Sequence, residues 1–228
     1  MRRLPILIML AILGLALPAK VAAQEDYRFD AGGGFGMTGY LGDANTSNLW
    51  SNPGFDGMLL FRYMRSPRIA FKTGLYIGTL SGNTADMTDV LPDARQFKFS
   101  TTFYELCEMF EFNFLNYGIG ESYRKLKRFT PYITAGLGAT LWTTDGYTGA
   151  AFTIPFGIGA KYKLSERLNL GLEFLMKKTF SDRLDGPDLS DPHAIKSSFA
   201  KNTDWYSTLS VTLSYEFSKR CATCNYKD

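Results

Sequence analysis

The segment Asp204–Phe217, with the sequence DWYSTLSVTLSYEF, alternates between two kinds of residue with a period of two. One face of an extended strand would carry Trp205, Ser207, Leu209, Val211, Leu213, Tyr215 and Phe217, and the other face is mostly polar. An aromatic pair lies at each end, and the middle is uncharged. This pattern is typical of a strand that crosses a lipid bilayer, although an edge strand of a soluble β-sandwich alternates in the same way.

The first 24 residues have the features of a secretory signal peptide. Arg2 and Arg3 precede the apolar run Leu4–Leu17, and Val21–Ala23 provides small residues for cleavage after Ala23 or Gln24. A membrane anchor is the alternative, but the uncharged run stops at Lys20 and the alternating pattern begins soon afterwards. The sequence therefore predicts a signal peptide over residues 1–24 and an exported chain.

Removal of that leader changes the charge balance. The whole chain has 25 Lys and Arg against 22 Asp and Glu, and the leader contains three of the basic residues and no acid. The mature chain is then balanced at 22 against 22. The mature chain therefore lacks the excess of Lys and Arg that nucleic-acid-binding proteins carry, and we expect no nucleic-acid partner.

Composition narrows the fold class further. The chain has 18 Phe, 13 Tyr and 22 Gly, and the mature part has no apolar run long enough for a transmembrane helix. An exported, aromatic-rich and alternating chain is either a soluble β domain or an outer-membrane barrel. Within a bilayer, only a closed barrel leaves no unpaired strand edge.

Eight candidate strands follow one another along the mature chain, at residues 27–38, 55–63, 69–78, 97–114, 130–142, 152–164, 168–180 and 204–217. We expect an all-β fold, an eight-stranded antiparallel transmembrane β-barrel over residues 25–217, surrounded by outer-membrane lipid. Long and short connections mostly alternate, as in barrels with long outer loops and short periplasmic turns. An even strand number places both termini in the periplasm, together with the tail at residues 218–228.

Two strands depart from simple alternation. In the fourth, Phe97, Phe99 and Phe103 have one parity, whereas Phe110, Phe112 and Phe114 have the other. This change of phase predicts a β-bulge near residues 104–109, which would turn both Glu105 and Glu111 inward. In the sixth strand, Pro155 has no N–H to donate and predicts a local bulge or an end of pairing.

The inward positions carry charges of both signs, predicted at Asp30, Asp56, Glu105, Glu111, Glu173, Glu216, Arg28, Arg62, Lys72, Lys161, Lys163 and Lys177. Buried charges persist when they are paired and hydrogen-bonded. The interior of an eight-stranded barrel is just wide enough for side chains to fill it. We therefore expect a salt-bridged plug rather than a conducting pore.

Catalytic and metal-binding patterns have little support. The single histidine, His193, lies in a polar loop, and the glycine-rich segment Gly32–Gly36 falls within a strand rather than in a phosphate-binding loop. A loop with Asp182, Asp185, Asp188 and Asp191 could bind a divalent cation, although a solvated loop is the simpler interpretation. We expect no enzyme activity, no cofactor and no metal.

Three cysteines remain. Cys107 lies in the fourth strand and is expected to be a small buried side chain. Cys221 and Cys224 lie in the tail as Cys-Ala-Thr-Cys, without the βαβ setting of a redox motif and with too few ligands for zinc. In an oxidising periplasm they can pair with each other or with a partner chain.

An ordered set of short motifs resembles the PorG-like outer-membrane β-barrel family of Bacteroidota: Tyr40–Asp43, Phe103–Glu105, Glu111–Phe114, Arg128–Tyr132, Ile154–Gly159, Thr179–Asp182 and Asp204–Tyr206. The resemblance extends over essentially the whole mature chain. One segment departs from the family pattern, because Arg183–Gly186 stands where a Tyr-x-Asp-Asp run is expected.

The resemblance implies a structural component of the type IX secretion machinery. Such a protein docks a periplasmic ring, built from a lipoprotein and its partner, to the outer membrane. It also implies a use for Cys221 or Cys224, one of which would capture a thiol of that periplasmic partner. The alternatives are a stand-alone small barrel that acts as an adhesin or envelope stabiliser, and a lipid-modifying outer-membrane enzyme.

Overall fold

Eight β-strands form the part of the chain that the computed structural model describes, which comprises residues 27–41, 50, 52–83, 98–119, 125–144, 147–180 and 205–219. Their bounds are β1 (Tyr27–Leu41), β2 (Gly54–Met64), β3 (Ile69–Asn83), β4 (Lys98–Asn113), β5 (Phe129–Thr144), β6 (Tyr147–Lys163), β7 (Leu168–Thr179) and β8 (Trp205–Lys219). The predicted signal peptide and the tail cysteines lie outside the described residues.

The strands close into a barrel in which each strand pairs with the next and β8 returns to β1. All the neighbouring pairs with a recorded register are antiparallel. This architecture confirms the predicted eight-stranded antiparallel barrel. Within the described residues, no helix has the length and apolar character needed to span a membrane.

Burial alternates along the strands as the sequence pattern predicts. Large apolar side chains face outward and are strongly exposed, with Phe35 at 75%, Phe55 at 74% and Leu137 at 69%. Polar and charged side chains face inward and are buried, among them Lys72, Lys177 and Glu111. The barrel is thus apolar outside and polar inside, the reverse of a soluble globular fold.

The predicted bulge in β4 is wrong. The pairing of β4 with β3 is continuous from Ile69–Phe112 to Asn83–Lys98, and its pairing with β5 is continuous from Thr101–Thr144 to Asn113–Tyr132. Glu105 and Glu111 both face inward because they share one parity. The apparent change of phase arises because Phe103 faces the interior, where it packs against Tyr206 with ring centroids 5.4 Å apart.

Pro155 does end pairing locally, but without a bulge. The β5–β6 ladder runs from Phe129–Tyr162 to Ala135–Phe156 and resumes at Gly138–Thr153 in the same register. In this interruption, Gly136 of β5 lies opposite Pro155 of β6, and Leu137 lies opposite Ile154. Since proline has no N–H, this position cannot donate to the neighbouring strand.

Inward-facing glycines allow β1 to approach β8 closely. A Cβ atom at Gly32 would overlap the carbonyl oxygen of Leu213, and one at Gly34 would overlap that of Val211. The glycine-rich segment predicted as part of a strand therefore lies in β1, where the absence of side chains permits the closing contact between the first and last strands.

One end of the barrel, here called the turn end, contains the start of β1, the end of β8 and the β2–β3, β4–β5 and β6–β7 connections. Backbone hydrogen bonds extend the sheet there, from Asn113 N to Arg68 O, from Lys163 N to Arg128 O and from Glu216 N to Arg167 O, each 2.8 Å. These bonds hold the described part of each connection against the neighbouring strand.

Candidate functional site

Glu111 on β4 is the centre of the buried charge network. Its carboxylate lies 2.9 Å from Nε of Arg62 on β2, 2.7 Å from Nζ of Lys161 on β6 and 3.6 Å from Nζ of Lys72 on β3. Each of these side chains is almost fully shielded from solvent. One carboxylate therefore contacts cations from three other strands inside the barrel.

The network continues from Glu111 to both sides of the interior. Arg62 also forms an ion pair with Asp30 on β1, and Lys72 forms one with Glu173 on β7. Tyr132 donates its hydroxyl hydrogen to Glu173 Oε2 over 2.8 Å. Charges on six strands are thus connected through shared partners, and the hydrogen bonds offset part of the cost of burying them.

A second group lies further from the turn end. Lys177 Nζ is 2.5 Å from Glu105 Oε2 and 3.6 Å from the centre of the Tyr76 ring, a cation–π contact. The thiol of Cys107 donates to Glu105 Oε1 over 2.9 Å. Cys107 is buried, as the sequence predicts, and its thiol is part of the interior rather than of a surface site.

Apolar and aromatic side chains alternate with the charged ones in the interior and continue past Lys177, where buried Thr and Ser side chains accompany them. The apolar and aromatic side chains share one buried cluster, which comprises Tyr40, Met58, Leu60, Tyr76, Leu80, Phe103, Cys107, Met109, Trp142, Leu175 and Tyr206. This cluster shares the interior with the charge network, since Leu60 and Met109 are the inward residues next to Arg62 and Glu111. Within the described residues, side chains rather than an open channel occupy the interior, as expected for a barrel of this width.

The turn end is closed by Tyr117, which belongs to the long β4–β5 connection. Its hydroxyl donates to Asn169 Oδ1 over 2.7 Å, Asn169 Nδ2 donates to Glu216 over 2.9 Å, and Lys163 Nζ lies 2.7 Å from Glu216. Burial raises the pKa of the Tyr117 hydroxyl above its ordinary value, so it remains a protonated donor. The sequence did not identify Tyr117, because nothing in a connection marks a side chain that turns back into the barrel, and it did not single out Asn169 among the inward positions of β7.

The structure brings together the residues predicted to form the interior charge network. Arg62, Lys72, Glu105, Glu111, Lys161, Glu173, Lys177 and Glu216 are all buried, and each forms an ion pair with another interior charge. Lys163, Asp30 and Asp56 are also buried. Arg28 was predicted to face inward but is exposed, because it is the second residue of β1 and precedes Phe29, where the recorded pairing with β2 begins.

Other predicted positions fall outside the described residues, namely Cys221, Cys224, His193 and the aspartates of the loop at residues 181–203. Among the residues that are described, no group of three or more His, Cys, Asp or Glu side chains has an arrangement suited to a metal ion.

Aromatic side chains gather on the outer wall where β8, β1 and β2 meet near the turn end. Phe29 stacks on Phe61 and Phe217, with ring centroids 5.6 and 5.8 Å apart, and also contacts Tyr63. Beside them, Arg167 donates from Nε to the Tyr27 hydroxyl over 2.8 Å and from Nη1 to the Tyr215 hydroxyl over 2.9 Å. Arg167 therefore connects β1 and β8 across their closing contact.

The turn end is strongly basic. Its exposed cations come from the start of β1 and from all three connections, and they are Arg28, Arg65, Arg68, Lys125, Lys127 and Arg128, with Arg167 half-exposed. Within the described part of these connections, Glu166 is the single acidic residue. A surface of this kind attracts a polyanionic or acidic partner.

Comparison with known proteins agrees with this architecture. A family model described as "Domain of unknown function (DUF6089)" matches residues 7–226. No curated protein matches the chain.

Two solved structures have the same fold. The chain resembles the Neisserial surface protein A (NspA), with a TM-score of 0.50, 10% identity and coverage of 83% of this chain and 97% of that one. It also resembles Ail, the attachment invasion locus protein of Yersinia pestis, solved with the heparin analogue sucrose octasulfate, with a TM-score of 0.50, 9% identity and coverage of 84% and 99%. At this identity the likeness shows the fold, that of a small outer-membrane barrel.

Proposed function

The chain belongs to the DUF6089 family, and we propose that it is a non-catalytic outer-membrane barrel that docks a periplasmic component of a protein secretion complex. In this proposal the apolar outer wall contacts outer-membrane lipid, and the turn end and both termini face the periplasm.

The filled interior supports a docking role over a transport role. Ion pairs at Glu111, Glu173 and Glu105 occupy the middle of the barrel, and Tyr117 closes the turn end. A small solute would have to break several buried ion pairs to pass, which is costly. The surfaces left for a partner are the outer wall and the two ends.

The basic turn end is the observation that carries the proposal. Seven cations accompany one acidic residue in the described part of that surface. Backbone hydrogen bonds hold Arg68, Arg128 and Arg167 against neighbouring strands, so part of this charge is fixed to the sheet. Such a surface fits an acidic face of a periplasmic protein, because complementary charge accelerates encounter and fixes orientation.

The partner's identity rests on the sequence resemblance. The PorG-like family of Bacteroidota belongs to the type IX secretion machinery, and its partner there is a periplasmic lipoprotein or ring component. The tail cysteines Cys221 and Cys224 extend the same proposal, since one of them could form a disulfide with that partner.

A stand-alone barrel that acts as an adhesin or envelope stabiliser is the rival function. The filled interior and the apolar wall support it equally well, and only the turn end distinguishes the two. The adhesin would act through the opposite end, so charge at the turn end would not affect it. A lipid-modifying enzyme would instead depend on His193.

The test is purification of the tagged, full-length protein from outer membranes, with and without reductant, and identification of partners by mass spectrometry. The decisive variant reverses three exposed charges, Lys125→Glu, Lys127→Glu and Arg128→Glu. Its matched control keeps the charge, with Lys125→Arg, Lys127→Arg and Arg128→Lys. Cys221→Ser and Cys224→Ser test the tail separately.

We expect a periplasmic partner to co-purify with the wild type and the control, and to be lost after charge reversal. An adduct that disappears with reductant and with one cysteine variant would identify the thiol. If the charge-reversed barrel folds and retains the same partner, the turn end is not the docking surface. If no periplasmic protein co-purifies at all, the adhesin or envelope function replaces this one.

A further inference from the structure

Glu108 on β4 faces outward, into the apolar wall. On the same face of β4, Phe112 and Phe110 lie on its turn-end side, and Leu106 and Tyr104 lie on the other. Among the described outward-facing side chains of β3, β4 and β5, Glu108 is the only charged one. It therefore lies midway along the lipid-facing surface, flanked by apolar residues. The sequence pattern left its orientation open.

Among the described residues, one neighbour satisfies part of this carboxyl group. Thr73 lies opposite Glu108 in the β3–β4 ladder, and its hydroxyl donates to Glu108 Oε1 over 2.7 Å. On the other side, the cross-strand neighbour is Leu137, an apolar residue. An ionisable group that faces hydrocarbon is costly until a donor or a cation meets it, and such groups mark functional positions.

The wall next to Glu108 is shaped for close approach of another protein. Leu137 is 69% exposed and stands between the small outward residues Ala135 and Ala139. Leu137 also lies in the interruption of the β5–β6 ladder, opposite Ile154. Small residues let two protein backbones approach each other closely within a membrane.

We propose that Glu108, Thr73 and Leu137 form an intramembrane docking site for a membrane-embedded segment of another protein that presents a Lys or Arg side chain at this depth. The hydrogen-bonding and charge requirements of the Glu108 carboxylate favour this partner over lipid or a second copy of the chain. Lipid chains offer no hydrogen-bond donor, and a second copy meeting around a two-fold axis would bring two Glu108 carboxylates together. A cation complements the carboxylate and uses the oxygen that Thr73 leaves available.

The test is crosslinking in the outer membrane of cells with the full-length protein. A photoreactive phenylalanine derivative replaces Leu137, and the matched control replaces Leu59, which is 64% exposed on β2, three strands away. Each probe is combined with Glu108→Leu and with the isosteric Glu108→Gln. Because all these positions face outward, heat-modifiable migration on gels verifies that each barrel has folded.

We expect a protein adduct from position 137 and none from position 59. Sequencing of the crosslinked peptide should place it in a membrane-embedded segment that contains Lys or Arg. Glu108→Leu should lower the adduct yield about tenfold, the effect of one hydrogen bond to a charged group. The charge exchange Glu108→Lys, with the partner's cation changed to Glu, should restore it.

Three results would overturn the proposal: adducts to lipid alone, adducts to a second copy of this chain, or a yield that Glu108→Leu leaves unchanged in a folded barrel. The inference does not rest on docking at the turn end. Charge reversal at residues 125, 127 and 128 leaves position 137 intact, so each docking surface can fail while the other stands.

Discussion

Lys72 on β3 forms an ion pair with Glu173 on β7, two residues that are 101 positions apart in sequence and lie on strands that do not pair with each other. The bond therefore crosses the interior of the barrel. It joins opposite walls, which backbone hydrogen bonds between neighbouring strands cannot do directly. The Lys72–Glu173 ion pair thus links opposite walls of the barrel, and its contribution to the free energy of unfolding can be measured.

Replacing one member of this pair should destabilise the barrel more than replacing both. Glu173→Leu leaves Lys72 with the more distant Glu111, and Lys72→Met leaves Glu173 with the Tyr132 hydroxyl, so each single change should cost up to about 3–5 kcal/mol, the cost of a buried charge that loses its partner. The double variant removes both charges and should recover most of that loss. Urea unfolding in lipid vesicles, followed by tryptophan fluorescence, measures the free energy of unfolding of each. If the single and double variants lost the same free energy of unfolding, the ion pair would not stabilise the barrel in this way.

The wild-type barrel should not conduct ions. The charge network and the aromatic cluster fill the interior, and Tyr117 closes the turn end. Purified protein in planar bilayers should show no steady conductance steps at moderate voltage, and vesicles containing it should retain a small sugar. A wide porin reconstituted in parallel provides the positive control. Reproducible stepwise conductance from the folded monomer would show that the interior opens.

Tyr117→Phe should weaken the closure of the turn end with little change in packing. It removes the hydroxyl that donates to Asn169, and the loss of one hydrogen bond costs about 1 kcal/mol. Tyr117→Ala also removes the ring that lies 5.3 Å from Lys163 Nζ, so its effect should be larger. Hydrogen exchange at the ends of β7 and β8 should rise in the order wild type, Phe, Ala. A uniform response across the barrel would contradict a local role.

Arg167→Leu should loosen the contact between the first and last strands. The guanidinium bridges the hydroxyls of Tyr27 on β1 and Tyr215 on β8, and leucine cannot reproduce either hydrogen bond. We expect faster amide exchange in β1 and β8 near the turn end, with β3 and β4 unchanged. Arg68→Leu, at another connection of the same end, is the matched control. Similar exchange in the two variants would show that the bridge does not stabilise the closure.

Strand number, order and facing could be predicted from the sequence because period-two alternation is a local property of the chain. The outward residues of β6, including Phe152, Phe156 and Ile158, and the inward residues Lys161 and Lys163 follow directly from that alternation. The buried positions of the charged residues could be predicted from the sequence for the same reason. Alternation specifies the side of the strand on which each residue lies, and this is enough to identify the residues of the interior charge network.

The partners within the interior could not be predicted, because contacts across a barrel depend on the stagger between strands. Nothing local in the sequence relates Lys72 to Glu173 or Lys177 to Glu105. The bulge predicted in β4 was wrong for a related reason: it assumed that every phenylalanine of this strand faces lipid, whereas Phe103 is buried in the interior. The orientation of Tyr117 depends on a long connection that folds back, which no periodicity describes.

Cys107 is enclosed in the barrel, with its thiol held against Glu105. Enclosure has a consequence for the reactivity of this thiol. Because the Cys107 side chain is 0% exposed in the closed barrel, a thiol reagent or an oxidant can reach it only when the surrounding wall opens. The rate at which Cys107 is modified therefore measures how often the barrel opens at this depth.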